Sequence, residues 1–295
     1  MSQLPDHQLL MAIKDLQLAA RQTIDGFMAG INKSKVKGPG LEFSQYRSYQ
    51  PGDDLRWLDW KRYARSDRYY IRESEIETSI SVRFLIDASN SMNHRDGNFT
   101  KMDYARHLAA SLGWLTQTQG DSFGLYIFQG GQVFSLPSRK DPQHLARFFY
   151  QLEQIQPEGR MGNLTQYKHI FTGHQKRELL VFITDMFEQD GEITRLLGLL
   201  ASLRHDIIVF QLMGSNELQR DFSGYHHVED LETGERIPVG DTRSQKDYQD
   251  KMQQWLAGVR MQLLDKQIAY SLLRIDQPMD QAIRDFLKQR QQTSG

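Results

Sequence analysis

Five short apolar runs alternate with stretches of helical spacing, and this alternation restricts the chain more than any other feature. The runs are Ile80 to Ile86, Phe123 to Phe128, Leu179 to Thr184, Ile207 to Met213 and Ala269 to Ile275. Four of them are apolar almost throughout, as strands covered on both faces must be. Between them lie three stripes: Met102, Ala105, Leu108, Ala109, Leu112; Leu145, Phe148, Phe149, Leu152, Ile155; and Ile193, Leu196, Leu197, Leu200, Leu203. A last stripe holds Met279, Ile283, Phe286 and Leu287. Spacings of three and four gather each set on one helix face, which reads as core. Strands alternating with helices predict an α/β fold with a mostly parallel sheet. Gln132 to Leu136, after Gly130-Gly131, reads as a hairpin partner, and Tyr225 to Val239 as a second hairpin or a long excursion.

The residues ahead of this pattern differ in character. Leu9, Ile13, Leu16, Ala20, Ile24 and Phe27 predict one docked amphipathic helix. Gly30 to Gly40, with Lys33, Lys35 and Lys37, has the composition of a loop, either a solvated linker or a contact for an acidic partner. Residues 51–75 interleave Arg56, Lys61, Arg62, Arg65, Arg68 and Arg72 with Trp57, Trp60, Tyr63, Tyr69 and Tyr70. Asp53, Asp54, Asp59, Asp67, Glu73 and Glu75 match those cations one for one, so the segment lacks the uncompensated charge that phosphate binding needs. It reads as an internal lattice of ion pairs and cation–π contacts, or as a docking surface for a protein. Glu75 to Ile80 then alternates polar and apolar residues as a half-exposed strand would. A boundary near residue 78 follows, between segments 1–78 and 79–290.

Composition narrows the function classes. The chain has 36 basic and 37 acidic residues, which offers no long-range attraction to nucleic acid or an anionic membrane. Cysteine is absent, which excludes disulfides, thiolate metal sites and a cysteine nucleophile. The start, Met-Ser-Gln-Leu-Pro-Asp-His, lacks the basic and apolar regions of a signal peptide, and no apolar run approaches the ~20 residues that cross a bilayer. A cytoplasmic protein without membrane insertion is expected.

The residues that carry chemistry cluster at the end of the first core strand. Phe84-Leu85-Ile86 runs into Asp87-Ala88-Ser89-Asn90-Ser91, where one carboxylate and two hydroxyls share a turn. Mg²⁺ prefers octahedral oxygen coordination, which short side chains of this kind provide. The plainer reading is that Asp and Ser occupy a strand-to-loop corner because they hydrogen-bond nearby backbone. Asp185 ends another apolar strand. If the two strands are neighbours, both carboxylates and both serines face one crevice at the carboxyl ends of the sheet.

Asp87, Ser89, Ser91 and Asp185 resemble, in position and order, the von Willebrand factor A domain with its metal-ion-dependent adhesion site. The resemblance implies a doubly wound sheet with flanking helices over 79–290, and Mg²⁺ held by those four residues. It departs at the loop Arg160-Met161-Gly162-Asn163-Leu164-Thr165, where Gly162 takes the place of the family's threonine and Thr165 is displaced by three residues. Upstream, Leu41-Glu42-Phe43 and the block from Arg47 through Gln50-Pro51-Gly52-Asp53-Asp54-Leu55-Arg56-Trp57 to Arg65 resemble the bacterial family called domain of unknown function 58, DUF58. That resemblance implies a small N-terminal helix and β-rich appendage before the von Willebrand core. It also implies a non-enzymatic adaptor role beside a MoxR-type AAA+ ATPase, in chaperone-like or complex-maturation work on a client protein.

Two other readings use the same atoms. A metal-free interaction scaffold would result if the altered loop abolished metal binding. A metal-dependent phosphotransferase or hydrolase would use Asp87 as nucleophile or base. Against an enzyme, the Gly-x-Ser-x-Gly elbow and a Gly-rich phosphate loop are missing, and no lysine follows the acidic turn at an obvious distance. His94, His107, His169, His174, His226 and His227 are scattered and read as surface or loop residues. No catalytic residue is expected.

Overall fold

The computed structural model describes residues 7–33, 45–49, 63, 65, 68–73, 79–162, 177–218, 227–229, 236–238 and 242–294. The chain divides into two compact units, one of residues 29–78 and one of residues 1–28 with 79–295.

The N-terminal segment forms α1 (His7–Met11) and α2 (Leu16–Lys33), where a single helix was expected. Asp15 makes the break. Its Oδ1 accepts the Leu18 amide at 2.9 Å, the N-cap arrangement that starts a new helix. Helix α2 runs past Gly30 to Lys33, so the expected loop starts later, and residues 34–40 lie outside the described residues. In the smaller unit, β1 (Gln45–Ser48) and β2 (Tyr70–Glu73) pair antiparallel, with Ser48 opposite Tyr70. Tyr63 stacks on Tyr69 at a centroid distance of 4.5 Å, and Tyr49 meets the same ring edge-on at 6.1 Å. The core of the basic and aromatic block, 51–62, and residues 74–78 of the alternating run lie outside the described residues.

The larger unit continues with β3 (Ser81–Asp87), the short strands β4 (Arg95–Asp96) and β5 (Phe99–Thr100), α3 (Lys101–Thr118), the hairpin β6 (Ser122–Gln129) and β7 (Gln132–Arg139), and α4 (Pro142–Gln154). After it come β8 (Leu179–Thr184), α5 (Glu192–Ser202), β9 (Asp206–Met213), α6 (Ser215–Leu218), the small hairpin β10 (His227–Glu229) and β11 (Arg236–Pro238), α7 (Thr242–Asp265), β12 (Ala269–Arg274) and α8 (Asp280–Ser294). One sheet runs in the order β12-β9-β8-β3-β6-β7 and is parallel except for β7, which returns antiparallel on β6. Gly130 and Gly131, at φ +55° and +76°, make the tight turn between them, a conformation that costs other residues strain. From β3 the chain builds outward through β6 and β7, then crosses back to build β8, β9 and β12 on the other side. The fold is a doubly wound, mostly parallel α/β sheet with flanking helices, and the five expected core strands all lie in it.

Because neighbouring strand residues point to opposite faces, β3 feeds two cores. Phe84 of β3 and Phe123 of β6 meet Phe148 of α4 at centroid distances of 5.4 and 5.1 Å. On the other face Leu85, Leu180, Phe182 and Val209 join Ile193, Leu196, Leu197 and Leu200 of α5 and Val259 and Leu263 of α7. Each such side chain contributes roughly 1.5–3 kcal/mol by leaving water. Helix α7 has no counterpart in the sequence reading. Among its described residues only Val259 and Leu263 are buried, too few for the helical spacing to stand out. Among the described residues, no helix is long and apolar enough to cross a membrane.

Candidate metal-binding crevice

Strands β3 and β8 pair in parallel register, with Ile86 opposite Ile183, so Asp87 and Thr184 leave the sheet side by side and Asp185 follows. This is where the strand order reverses, the position at which open parallel sheets form a ligand crevice. Asp87, Ser89, Ser91 and Asp185 are 0, 2, 8 and 1 % exposed. At that burial each polar atom needs a partner.

The partners of Asp87 come from both strands. Its Oδ1 accepts the Ser89 amide at 2.9 Å and its Oδ2 accepts the Thr184 hydroxyl at 2.7 Å. Burial pushes its carboxyl up to about 6, the like charge of Asp185 adds to the rise, and the Thr184 and Ser89 hydrogen bonds oppose it. The Ser89 and Ser91 hydroxyl oxygens lie 3.1 Å apart. Thr184 also accepts the Met186 amide at 2.9 Å, and Met186 has a left-handed φ of 60°. A non-glycine residue rarely adopts that conformation, and it costs on the order of 1 kcal/mol or more.

Asp185 is held by three partners. Its Oδ1 accepts the Phe187 amide at 3.0 Å, and its backbone oxygen accepts the Gln211 side-chain amide at 3.1 Å. The Tyr270 hydroxyl donates to Gln211 Oε1 at 2.7 Å, so β9 and β12 brace the loop. Its Oδ2 accepts Lys101 Nζ at 2.9 Å, and the same ammonium donates to Glu217 Oε1 at 2.8 Å. Lys101 is 2 % exposed. Burial disfavours its charge, but the Asp185 and Glu217 carboxylates prevail and hold its pKa above the ordinary lysine value. Lys101 thus stands beside one carboxylate of the crevice, a contact made through space that no sequence spacing displayed. Lys101 opens α3, whose start is fixed by a capping box: Thr100 Oγ1 accepts the Asp103 amide at 3.0 Å, and Asp103 Oδ2 accepts the Thr100 amide at 2.9 Å.

The segment after α4 closes the crevice on its other side. The Glu158 amide donates to Ala88 O at 3.0 Å, the Asn90 amide to Gly159 O at 2.9 Å, and the Asn93 side chain to Pro157 O at 3.0 Å. The Gly131 amide donates to Arg160 O at 3.1 Å, which ties the segment to the β6–β7 turn. Gly162 has φ +81°, and a Cβ built there would stand 2.6 Å from Gly131 Cα. Gly162, where the resemblance leads one to expect a threonine, is thus a backbone contact without room for a side chain. Thr165 lies outside the described residues.

The residues fit a small hard cation by one geometric and one electrostatic criterion. Two oxygens 3.1 Å apart match the ~3.0 Å edge of an octahedron with bonds of about 2.1 Å. Two buried carboxylates that repel each other's charge gain from a cation between them. Among the described residues, no three His, Asp or Glu side chains converge as a metal cluster, so hydroxyl oxygens would have to complete any ligand set. His94 is a loop residue, as expected. Its Nε2 lies 2.8 Å from Asn216 Oδ1 and 3.7 Å from Glu217 Oε2, beside the crevice. His107 bonds the Asp103 carbonyl at 2.9 Å within α3, and His169, His174 and His226 lie outside the described residues.

Lys101, Thr184 and Glu217 are the site residues that the sequence reading missed. One signal pointed to the first: a lysine at the first position of a helix faces the positive end of the helix dipole and calls for a compensating carboxylate.

Comparison with known proteins covers much of the chain. The family described as "Protein of unknown function DUF58" matches residues 45–255. The uncharacterized protein Rv1480 of Mycobacterium tuberculosis is 27% identical over 234 residues, 78% of this chain and 73% of that protein. Among solved structures, the conserved hypothetical protein BatB from Bacteroides thetaiotaomicron is 19% identical, with 72% of this chain and 100% of that chain covered and a TM-score of 0.48. The SpRpn10 VWA domain is 11% identical, with 46% of this chain and 76% of that chain covered and a TM-score of 0.34.

Proposed function

The chain belongs to the family described as protein of unknown function DUF58, and from that premise we propose that it is a non-enzymatic adaptor that captures a partner protein at the crevice between β3 and β8. The observation that carries the proposal is the gathering of Asp87, Ser89, Ser91 and Asp185 at the reversal of strand order. Those four residues would hold Mg²⁺, which would supply an electrophilic position for a Glu or Asp carboxylate of the partner. The protein's own part is preorganisation. Thr184 and the Ser89 amide fix Asp87, the Phe187 amide and Gln211 fix Asp185, and the turn leaves two neutral hydroxyls side by side. The partner is a MoxR-type AAA+ ATPase, as the family resemblance implies, and the adaptor links it to a client.

The test is capture of the purified MoxR-type ATPase of the same organism by the immobilised full chain, in Mg²⁺ and in EDTA. Capture is expected in Mg²⁺, with at least a tenfold loss in EDTA and in Asp87→Ala or the paired Ser89→Ala, Ser91→Ala variant. Equal capture under both conditions would exclude a metal-bridged joint.

Lys101 gives a second reading its one supporting observation, because a lysine beside paired carboxylates is equipment that phosphoryl transfer uses. Against it, both oxygens of Asp87 are engaged and the carboxylate is fully buried, which is poor placement for a nucleophile. Mg²⁺-dependent turnover of p-nitrophenyl phosphate that disappears in Asp87→Asn would replace the adaptor reading with this one.

A further inference from the structure

We infer that Lys101 is a built-in counter-ion for Asp185 that competes with a divalent cation for that carboxylate, with Glu217 as its alternative seat. The inference rests on the metal-dependent reading above and goes beyond it, because it names what sets the affinity of the crevice.

Lys101 Nζ stands 2.9 Å from Asp185 Oδ2 and 2.8 Å from Glu217 Oε1, on a buried side chain. The two carboxylates belong to different segments, one in the loop after β8 and one in α6 after β9. An ammonium so close to Asp185 already neutralises part of the charge that would attract a metal, and it repels a doubly charged ion at the same oxygen. Lysine is suited to yield. Its charge sits on a flexible four-carbon stem with three rotatable donors, so it can give up one carboxylate and keep the other.

Glu217 is a fixed seat for that retreat. Its Oε2 accepts the Gly214 amide at 2.7 Å, and its backbone oxygen accepts the Tyr248 hydroxyl of α7 at 3.0 Å. His94 lies 3.7 Å from the same carboxylate, and Asn216 beside it bonds both His94 and the Arg95 carbonyl. The α6 turn is therefore anchored independently of Lys101. The chain holds an internal cation between two acceptors, and a divalent ion strong enough to move it takes Asp185.

The measurement is Mn²⁺ binding to the full chain, with Mn²⁺ alone as the probe and the free ion counted by electron paramagnetic resonance. Lys101→Met is expected to bind Mn²⁺ about tenfold more tightly than wild type, because the competing charge is gone. Glu217→Gln is expected to bind about tenfold more weakly, because the ammonium then has Asp185 as its sole carboxylate. Lys101→Arg keeps the charge and should stay closer to wild type than to Lys101→Met. Affinity in Lys101→Met equal to or below wild type overturns the inference. Should Lys101→Met fail to fold with two carboxylates left uncompensated, unchanged or tighter binding in Glu217→Gln overturns it instead. Equal Mn²⁺ binding by all forms defeats the competition alone, whereas no binding by any form at millimolar Mn²⁺ defeats the metal reading and this inference with it.

Discussion

Asp87 occupies surroundings that resist its own ionisation. Its carboxyl is raised from 3.8 to about 6, first by burial and then by Asp185. The folded protein therefore binds a proton at this group more tightly than the unfolded chain does. By linkage, its contribution makes stability fall as pH rises from about 4 to about 6 and level off above. A rise of that size corresponds to a penalty on the order of 3 kcal/mol at neutral pH. Asp87→Asn should remove that penalty. Urea unfolding in EDTA is expected to show the variant at least as stable as wild type at pH 7.5, with a shallower decline between pH 4 and 6. Identical slopes for the two proteins would show that Asp87 does not carry this dependence. Under the metal-dependent reading proposed above, a bound cation would offset this cost.

At the scale of elements, the segment from Ile155 to Gly162 acts as a strap across the ends of β3 and β6. Its backbone amides and carbonyls reach Ala88, Asn90, Gly130 and Gly131, and Gly162 rests against Gly131. On the resemblance to the adhesion-type site alone, Gly162→Thr would be expected to add a ligand. The strap makes the opposite outcome the expected one. A β-branched side chain at φ +81°, with its Cβ 2.6 Å from Gly131 Cα, combines backbone strain with a clash. Gly162→Thr should cost on the order of 2–4 kcal/mol in urea unfolding and should not tighten Mn²⁺ binding. Tighter binding at unchanged stability would mean that the strap is free to give the threonine room.

Across the larger unit, the amino ends of the strands are tied by a different device from the one at the crevice. Asp121 is fully buried just before β6. Its Oδ1 accepts the Ile80 amide at 3.0 Å and Arg290 Nη2 at 3.1 Å, and its Oδ2 accepts Arg290 Nε at 2.5 Å. One carboxylate thus joins the approach to β3, the start of β6 and helix α8. Removing the cation leaves a buried charge without its partner, so Arg290→Ala should destabilise by about 3 kcal/mol in urea unfolding. The double variant Arg290→Ala, Asp121→Asn should recover part of the loss. Because β3 and β6 are parallel, Asp121 and Asp87 lie at opposite ends of the sheet. The remaining folded protein should keep wild-type Mn²⁺ affinity, and a parallel loss of affinity would argue against separate roles for the two ends.

The sequence alone determined the alternation of strands and helices, the hairpin at Gly130-Gly131 and the turn Asp87-Ala88-Ser89-Asn90-Ser91. Each is written in residues a few positions apart, where the period of a strand, the spacing of a helix face and the chemistry of a turn are local properties. Even locally, a competing signal could win: Asp15 as a cap cut in two a helix whose apolar spacing ran straight through. Only the tertiary structure decided that β3 and β8 are neighbours, that Lys101 reaches Asp185 and Glu217 across 84 and 116 positions, and that Gly162 is pressed against another glycine. Those facts depend on strand order and on side chains that meet after the chain has crossed the sheet. No spacing rule encodes them, because an ammonium finds its carboxylates through space and not along the sequence.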